Sequence, residues 1–358
     1  MNPLNNSEIA LLKKAGLTDS EIILIINEEE ACEQCKEMLE QMPDDELPNL
    51  GDLYIAIGII YRDQEDYSKS LEYYKKGSVI CEEVLPPDHL NLANIYMNMG
   101  GVYDNMANYE QSVKYYEKCR AIFEKNLPID HLDWAALYMN MGLAYDALTN
   151  YKRAIEYYEK YRTVFEKTLP PTHPDWAALY MNMGAAYNKL TNYAKALECY
   201  EKCKAIFEKM LPNDHPNLVS LYTAIGDVYR NAEVYDKALD YYKKSEAILE
   251  QTLPPDDPSW AVIYVNIGVI HNYMENYTQA VKYYEKSRNI LEERLPKDYL
   301  GVIRMHLNIG TFLCLKHQYI KALPHIQKVL EMSEKTLPDD HPFLQQAKRL
   351  YDLINENL

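Results

Sequence analysis

The chain has 358 residues, of which 47% are hydrophobic by a broad count and 25% are charged, a mixture that can bury a core along its whole length and is unlike that of a disordered chain. Its formal net charge of -17 opposes binding to the phosphate backbone of nucleic acid and to anionic membrane surfaces. The seven cysteines are an odd number scattered over a long sequence, which does not make a disulfide framework and fits a reducing, cytoplasmic setting.

In chain order, residues 7–42 predict one or two helices, and residues 1–50 are read as N-terminal capping helices or a degenerate half repeat. Cys32 and Cys35 form a C-x-x-C there, with no second pair or nearby histidine to complete a zinc site. The opening MNPLNNSEIALLKKAG lacks the basic and apolar regions of a leader. No apolar stretch in the chain approaches the ~20 residues that span a bilayer.

From residue 51 to residue 340 the sequence repeats seven times at a fixed 42-residue interval. Gly58, Gly100, Gly142, Gly184, Gly226, Gly268 and Gly310 keep that spacing, as do Tyr67, Tyr109, Tyr151, Tyr193, Tyr235, Tyr277 and Tyr319. The prolines from Pro86 to Pro338 keep it too. In the third unit Tyr138, Met141, Gly142 and Tyr145 follow i, i+3, i+4, i+7, the buried stripe of a first helix. Gly142, lacking a side chain, allows a close approach. A second helix repeats the pattern with Tyr151, Ala154, Ile155 and Tyr158, continuing to Val164 and Phe165, while its Lys and Glu residues mostly face water.

Proline-containing joints end each second helix, and Asp88, Asp130, Thr172, Asp214, Asp256, Asp298 and Asp340 stand where an N-cap oxygen is needed for the next unit. Asp133 and Asp175 lie three residues after theirs, as in a capping box. His89, His131, His173, His215 and His341 recur at the same joints, where capping or loop bonding is favoured over a shared metal ion. Trp134, Trp176 and Trp260 share one repeat position and are read as joint-filling core. Residues 341–358 predict a closing helix. The fold class is therefore all-α, an extended array of helix-turn-helix units.

An aromatic, then N-x-G, then a tyrosine three residues on, then N-Y-x-x-A and a further aromatic: this pattern resembles the tetratricopeptide repeat, which implies a right-handed superhelical solenoid. The lengthened second helix and the LP-x-D-H-P joint are similar to the repeats of kinesin light chains over about residues 51–345. That resemblance implies a motor-cargo adaptor, kinesin heavy chain as a partner, and a groove with basic residues for acidic, tryptophan-containing peptides. At the comparable positions stand Asp104, Asn105, Asp146, Ala147, Asn231 and Asn272, with Arg62, Lys189 and Arg230 basic, and the first fifty residues do not show a heptad coiled coil. Similar repeats also accompany mono-ADP-ribosyltransferases, which implies an accessory region without the catalytic domain. Glu28 and Glu30 match that enzyme's E-x-E by letter but read as helix.

The first helix of the third unit presents Ala136, Met139, Asn140, Leu143 and Ala147 opposite its buried stripe, a small, apolar and sparsely polar face where water would favour Lys and Glu. Asn98, Asn140, Asn182, Asn266 and Asn308 mark this face in five units, interrupted by Ala56 and Ala224. Each amide offers a donor and an acceptor to a peptide backbone, or to a neighbouring helix. Met97, Met139 and Met181 lie beside them with adaptable thioethers. These residues, with Lys189 and Arg230, are the candidate peptide-binding groove. Phosphate-loop, dinucleotide, zinc-protease and nucleophile-elbow motifs are absent, so the expectation is a non-enzymatic scaffold for a protein or peptide partner, without cofactor or metal.

Overall fold

The computed structural model describes residues 47–170, 173–255, 257–292, 299–338 and 341–358. Cys32, Cys35, Glu28 and Glu30, with the expected helices of residues 7–42, lie outside them. Among the described residues every regular element is a helix. The chain divides into two compact units, Met1–His173 and Pro174–Leu358.

The first unit holds α1 (Leu47–Asp63), α2 (Tyr67–Val84), α3 (Leu90–Asn105), α4 (Tyr109–Asn126), α5 (Leu132–Ala147) and α6 (Tyr151–Thr168). The second holds α7 (Pro174–Lys189), α8 (Tyr193–Met210), α9 (Pro216–Asn231), α10 (Tyr235–Thr252), α11 (Ser259–Tyr273), α12 (Tyr277–Glu292), α13 (Tyr299–Leu315), α14 (Tyr319–Thr336) and α15 (Pro342–Asn357). Odd-numbered helices up to α13 are the first helix (A) of each repeat and even-numbered ones the second (B). Each A helix packs along its own B helix, and within each unit the B helix also meets the following A helix.

Each hairpin turn closes the same way. In the third repeat Asn150 N–H donates to Tyr145 O at 2.8 Å and Thr149 N–H to Asp146 O at 2.8 Å, a Schellman arrangement with Thr149 in the left-handed region at φ 58°. Asn150 then opens α6, its side-chain oxygen accepting from Arg153 N–H at 3.3 Å. The left-handed residue recurs as Glu65, Ala107, Thr149, Thr191, Glu233, Glu275 and His317, none of them glycine. A β-branched residue is the least suited to this conformation. Thr149→Gly is therefore expected to stabilise the protein by about 1 kcal/mol, read as a higher urea midpoint with unchanged slope.

At the joints the structure corrects the expected caps. The N-cap residues are His89, His131, His215 and His341, one position after the proposed aspartates, and each ring Nδ1 accepts an N–H two residues on, from Asn91, Asp133, Asn217 and Phe343 at 3.1–3.3 Å. The cause is the turn before each helix, where the histidine N–H donates to the carbonyl of a proline three residues back, Pro86 for His89, and so becomes the last non-helical residue. Asp88, Asp130 and Asp214 fall inside that turn, and Asp133, at the second helical position, makes no capping box. Where the repeat has Asp257 instead of histidine, its carboxylate does the same work, accepting from Ser259 N–H at 2.9 Å. His173 has its N–H on Pro170 O at 3.0 Å and its ring edge-on to Phe165. Thr172, Asp256, Asp298 and Asp340 lie outside the described residues.

The core follows the predicted stripe and widens it. Tyr138, Met141 and Tyr145 of α5 are buried, as are Ala154, Tyr158, Val164 and Phe165 of α6, while Tyr151 and Ile155 are only half-buried. Tyr157 and Tyr161 join the core because a B helix packs on more than one neighbour. The Tyr157 ring stacks on Tyr145 at 5.4 Å, and its hydroxyl meets Glu117 and Arg120 of α4 at 3.2 Å each. Trp134, Trp176 and Trp260 are buried, as are Met99, Met141 and Met183. Cys119, Cys199 and Cys203 are buried at helix contacts, and burial pushes the thiols of Cys119 and Cys203 up to about 12.

Candidate functional site

Because Tyr138, Met141 and Tyr145 turn α5 towards its B helix, the opposite face of α5 is left open. Met139 and Asn140 are half-buried there, Ala136 and Ala147 are exposed, and Leu143 is 43% exposed. This face carries no charge. On a helix whose partner face is already filled, such a stripe is the surface most suited to another chain.

Within the first unit the predicted asparagines tie neighbouring A helices together. Arg62 of α1 donates to Asn98 Oδ1 at 3.4 Å, and the Asn98 amide donates to Asn94 O at 2.9 Å. The Asn140 amide lies 3.7 Å from the Met97 sulfur, a weak acceptor. The neighbour-bonding role thus holds for Asn98 and Asn140, and Met97 serves as a partner as well as a filler. Ala56, at the interrupted position in α1, is buried, so the stripe does not continue there.

In the second unit Asn182, Asn266 and Asn308 are half-buried on their A helices. Met181 lines a cleft of about 380 Å³ between α7, the end of α8 and α9, with Ala178, Phe207, Met210 and Ser220 among its walls. Lys189 is exposed in the last turn of α7. The Arg230 guanidinium pairs with Asp227 at 3.0 Å, and the same carboxylate oxygen accepts from Tyr242 at 2.7 Å. Asn231 donates to Asn188 at 3.1 Å, linking α9 to α7. Arg62 is likewise engaged, with Asp63 at 2.9 Å. Asp104 accepts from the buried Tyr116 hydroxyl at 2.6 Å, and burial raises its carboxyl above the usual range.

The cleft and the pairing of the arginines were not read from the sequence. Ala178 continues the small-residue stripe of Ala136 one repeat later, which is the trace the cleft leaves in the sequence. Pairing of a surface arginine leaves none. Among the described residues no group of three or more His, Cys, Asp or Glu side chains is placed to hold a metal ion, and no helix is long and apolar enough to cross a membrane.

Helices paired in this way, each A helix packed along its own B helix, define a helical-repeat protein. The chain belongs to the tetratricopeptide repeat family, whose profile matches residues 49–125, 91–167, 176–251 and 260–335. This fold generally serves as a non-catalytic scaffold that binds other proteins. No curated protein sequence matches the chain. Among solved structures it is similar to the nearly identical TPR-like repeats of a kinesin light chain from Podosopora anserina, with 22% identity, a TM-score of 0.51, and 59% of this chain and 99% of that one covered. BtubC (BKLC) from P. vanneervenii shares 17% identity at a TM-score of 0.52, covering 69% of this chain and 92% of that one. The apo form of RapI shares 18% at a TM-score of 0.63, covering 98% and 89%. At these identities the likeness is one of fold.

Proposed function

We propose that the protein is a non-enzymatic cytoplasmic scaffold that holds a peptide or helix of a partner protein against the A-helix stripe. The observation that carries this reading is the uncharged, partly exposed face of α5, with Asn140 and Met139 set among Ala136, Leu143 and Ala147. The Met181 cleft supplies an apolar recess on the second unit, of a size suited to one large side chain. Asn98, Asn140, Asn182, Asn266 and Asn308 offer amide groups to a partner's backbone, with Met97, Met139 and Met181 beside them and Lys189 at the rim.

The test is capture of partners from native cytosol by the wild-type protein and by the Asn98→Ala/Asn140→Ala/Asn182→Ala variant, read by quantitative mass spectrometry. The variant is expected to lose at least tenfold of a specific partner while its helicity and unfolding midpoint stay close to wild type. Undiminished capture by a folded variant would remove the groove from the function. A motor-cargo adaptor that takes acidic peptides is less well supported, because Arg62 and Arg230 are committed to Asp63 and Asp227. Co-purification with a kinesin heavy-chain stalk would favour that reading instead.

A further inference from the structure

Two tyrosine columns of the repeat break at the same place. Tyr54, Tyr96, Tyr138, Tyr180, Tyr222 and Tyr264 are followed at the 42-residue interval by His306, and Tyr73, Tyr115, Tyr157, Cys199, Tyr241 and Tyr283 by His325. In earlier repeats the two rings pack together, 6.1 Å apart for Tyr222 and Tyr241 and 5.9 Å for Tyr264 and Tyr283. A lysine, Lys244 or Lys286, lies over both rings. The seventh repeat keeps the lysine as Lys328, paired with Glu331 at 3.3 Å, and replaces the two phenol rings by two imidazoles 5.2 Å apart.

The two Nδ1 atoms are 3.1 Å from each other, and His306 Nε2 is 3.0 Å from Glu292 Oε1. Since a carboxylate only accepts, His306 carries its hydrogen on Nε2, and the single hydrogen between the rings belongs to His325 Nδ1. One further proton can settle on His325 Nε2 without breaking either bond. A second turns both Nδ1 atoms into donors that face each other at hydrogen-bond distance, and attraction becomes repulsion. His306 is 7% exposed, so water cannot screen that repulsion well. Arg288 and Glu292 from α12 act on both rings and Lys328 from α14 on His306; Glu292 lies 3.6 Å from Arg288, and Lys328 is paired with Glu331 at 3.3 Å. Glu285, Lys316 and Lys321 line the cleft beside His325.

We propose that the His306–His325 pair makes the seventh repeat an acid-sensitive joint, in which double protonation forces α13 away from α14 while the earlier repeats, which have no histidine at either position, stay closed. Burial and the neighbouring cations hold both imidazoles below the ordinary histidine range, His325 down to about 4. The unfolded chain takes up its histidine protons near pH ~6.5, so between ~6.5 and about 4 the opened state binds more protons than the closed one. The pair's contribution is therefore complete above ~6.5 and falls away as the pH drops through that window.

The decisive comparison is with His306→Tyr/His325→Tyr, which restores the ring pair of the preceding repeats. Amide hydrogen exchange in α13 and α14, corrected for intrinsic rates, is measured for both proteins at pH 7.5 and 5.0. The opening constant of the wild type is expected to rise about tenfold more than that of the variant. That is less than the ~30-fold a lone shift from ~6.5 to about 4 would give, because His325 is partly exposed and screened. The capping histidines and surface carboxylates are common to both proteins and cancel. Should the double variant lack native helicity at pH 7.5, His325→Gln replaces it, keeping a polar side chain without the titration. Equal acid dependence in the wild type and the folded control overturns the proposal.

Discussion

Trp134→Ala is expected to cost about 3–5 kcal/mol, the largest loss from a single substitution in the first unit. The indole is 2% exposed, stacked on Tyr138 at 5.1 Å and set edge-on against Phe123 at 5.4 Å, so it joins the end of α4 to the start of α5. Alanine leaves a void that helices fixed by two hairpin turns cannot collapse into. Trp134→Leu is expected to cost less, about 1–2 kcal/mol, since Leu92 and Leu218 fill the same repeat position and are buried. Urea unfolding followed by circular dichroism checks the order. Because a repeat array is held by neighbour contacts, hydrogen exchange should show the loss concentrated in α4 and α5. A loss spread evenly over the chain, or Leu as costly as Ala, would contradict this account of the joint.

Gly100→Ala and Gly101→Ala, one residue apart in α3, are expected to move stability in opposite directions. In a helix interior alanine is intrinsically better than glycine by about 1 kcal/mol. At Gly101 a new Cβ would have the Tyr116 hydroxyl 3.9 Å away, an ordinary contact, so most of that gain should appear. At Gly100 the Cβ would lie 2.6 Å from Tyr116 Cδ1 and 2.9 Å from Cζ. The ring cannot retreat, being fully buried with its hydroxyl fixed on Asp104. Overpacking typically costs up to about 3 kcal/mol, and with Tyr116 ring carbons this close the upper end applies, so after the propensity gain of about 1 kcal/mol a net loss of about 2 kcal/mol remains. Two urea midpoints, one above and one below wild type, are the expected result. The same clash recurs at Gly142 with Tyr158 and at Gly226 with Tyr242, which explains why the glycine column persists in a helix.

The columns of Gly58 to Gly310, Tyr67 to Tyr319 and Pro86 to Pro338 set the helix boundaries and the pairing of A with B helices. They do so because burial on a helix follows its own period, so residues a few positions apart suffice to reveal it. The sequence by itself therefore determined an all-α array of tetratricopeptide hairpins, with Trp134 and Met141 in the core and Asn140 and Met139 on its open face. What only the tertiary structure decided were the partners of polar groups. Asp88 and His89 are adjacent and both are capping residues in kind, and the turn from Pro86 chose the histidine. Arg62 reaches Asn98 36 residues away, and Asn140 reaches Met97 43 residues away. His306 and His325 are 19 residues apart, and only the packing of α13 on α14 sets their Nδ1 atoms 3.1 Å apart. A hydrogen bond depends on a few tenths of an ångström between atoms brought together by packing, and apolar burial depends only on which side of a helix faces in.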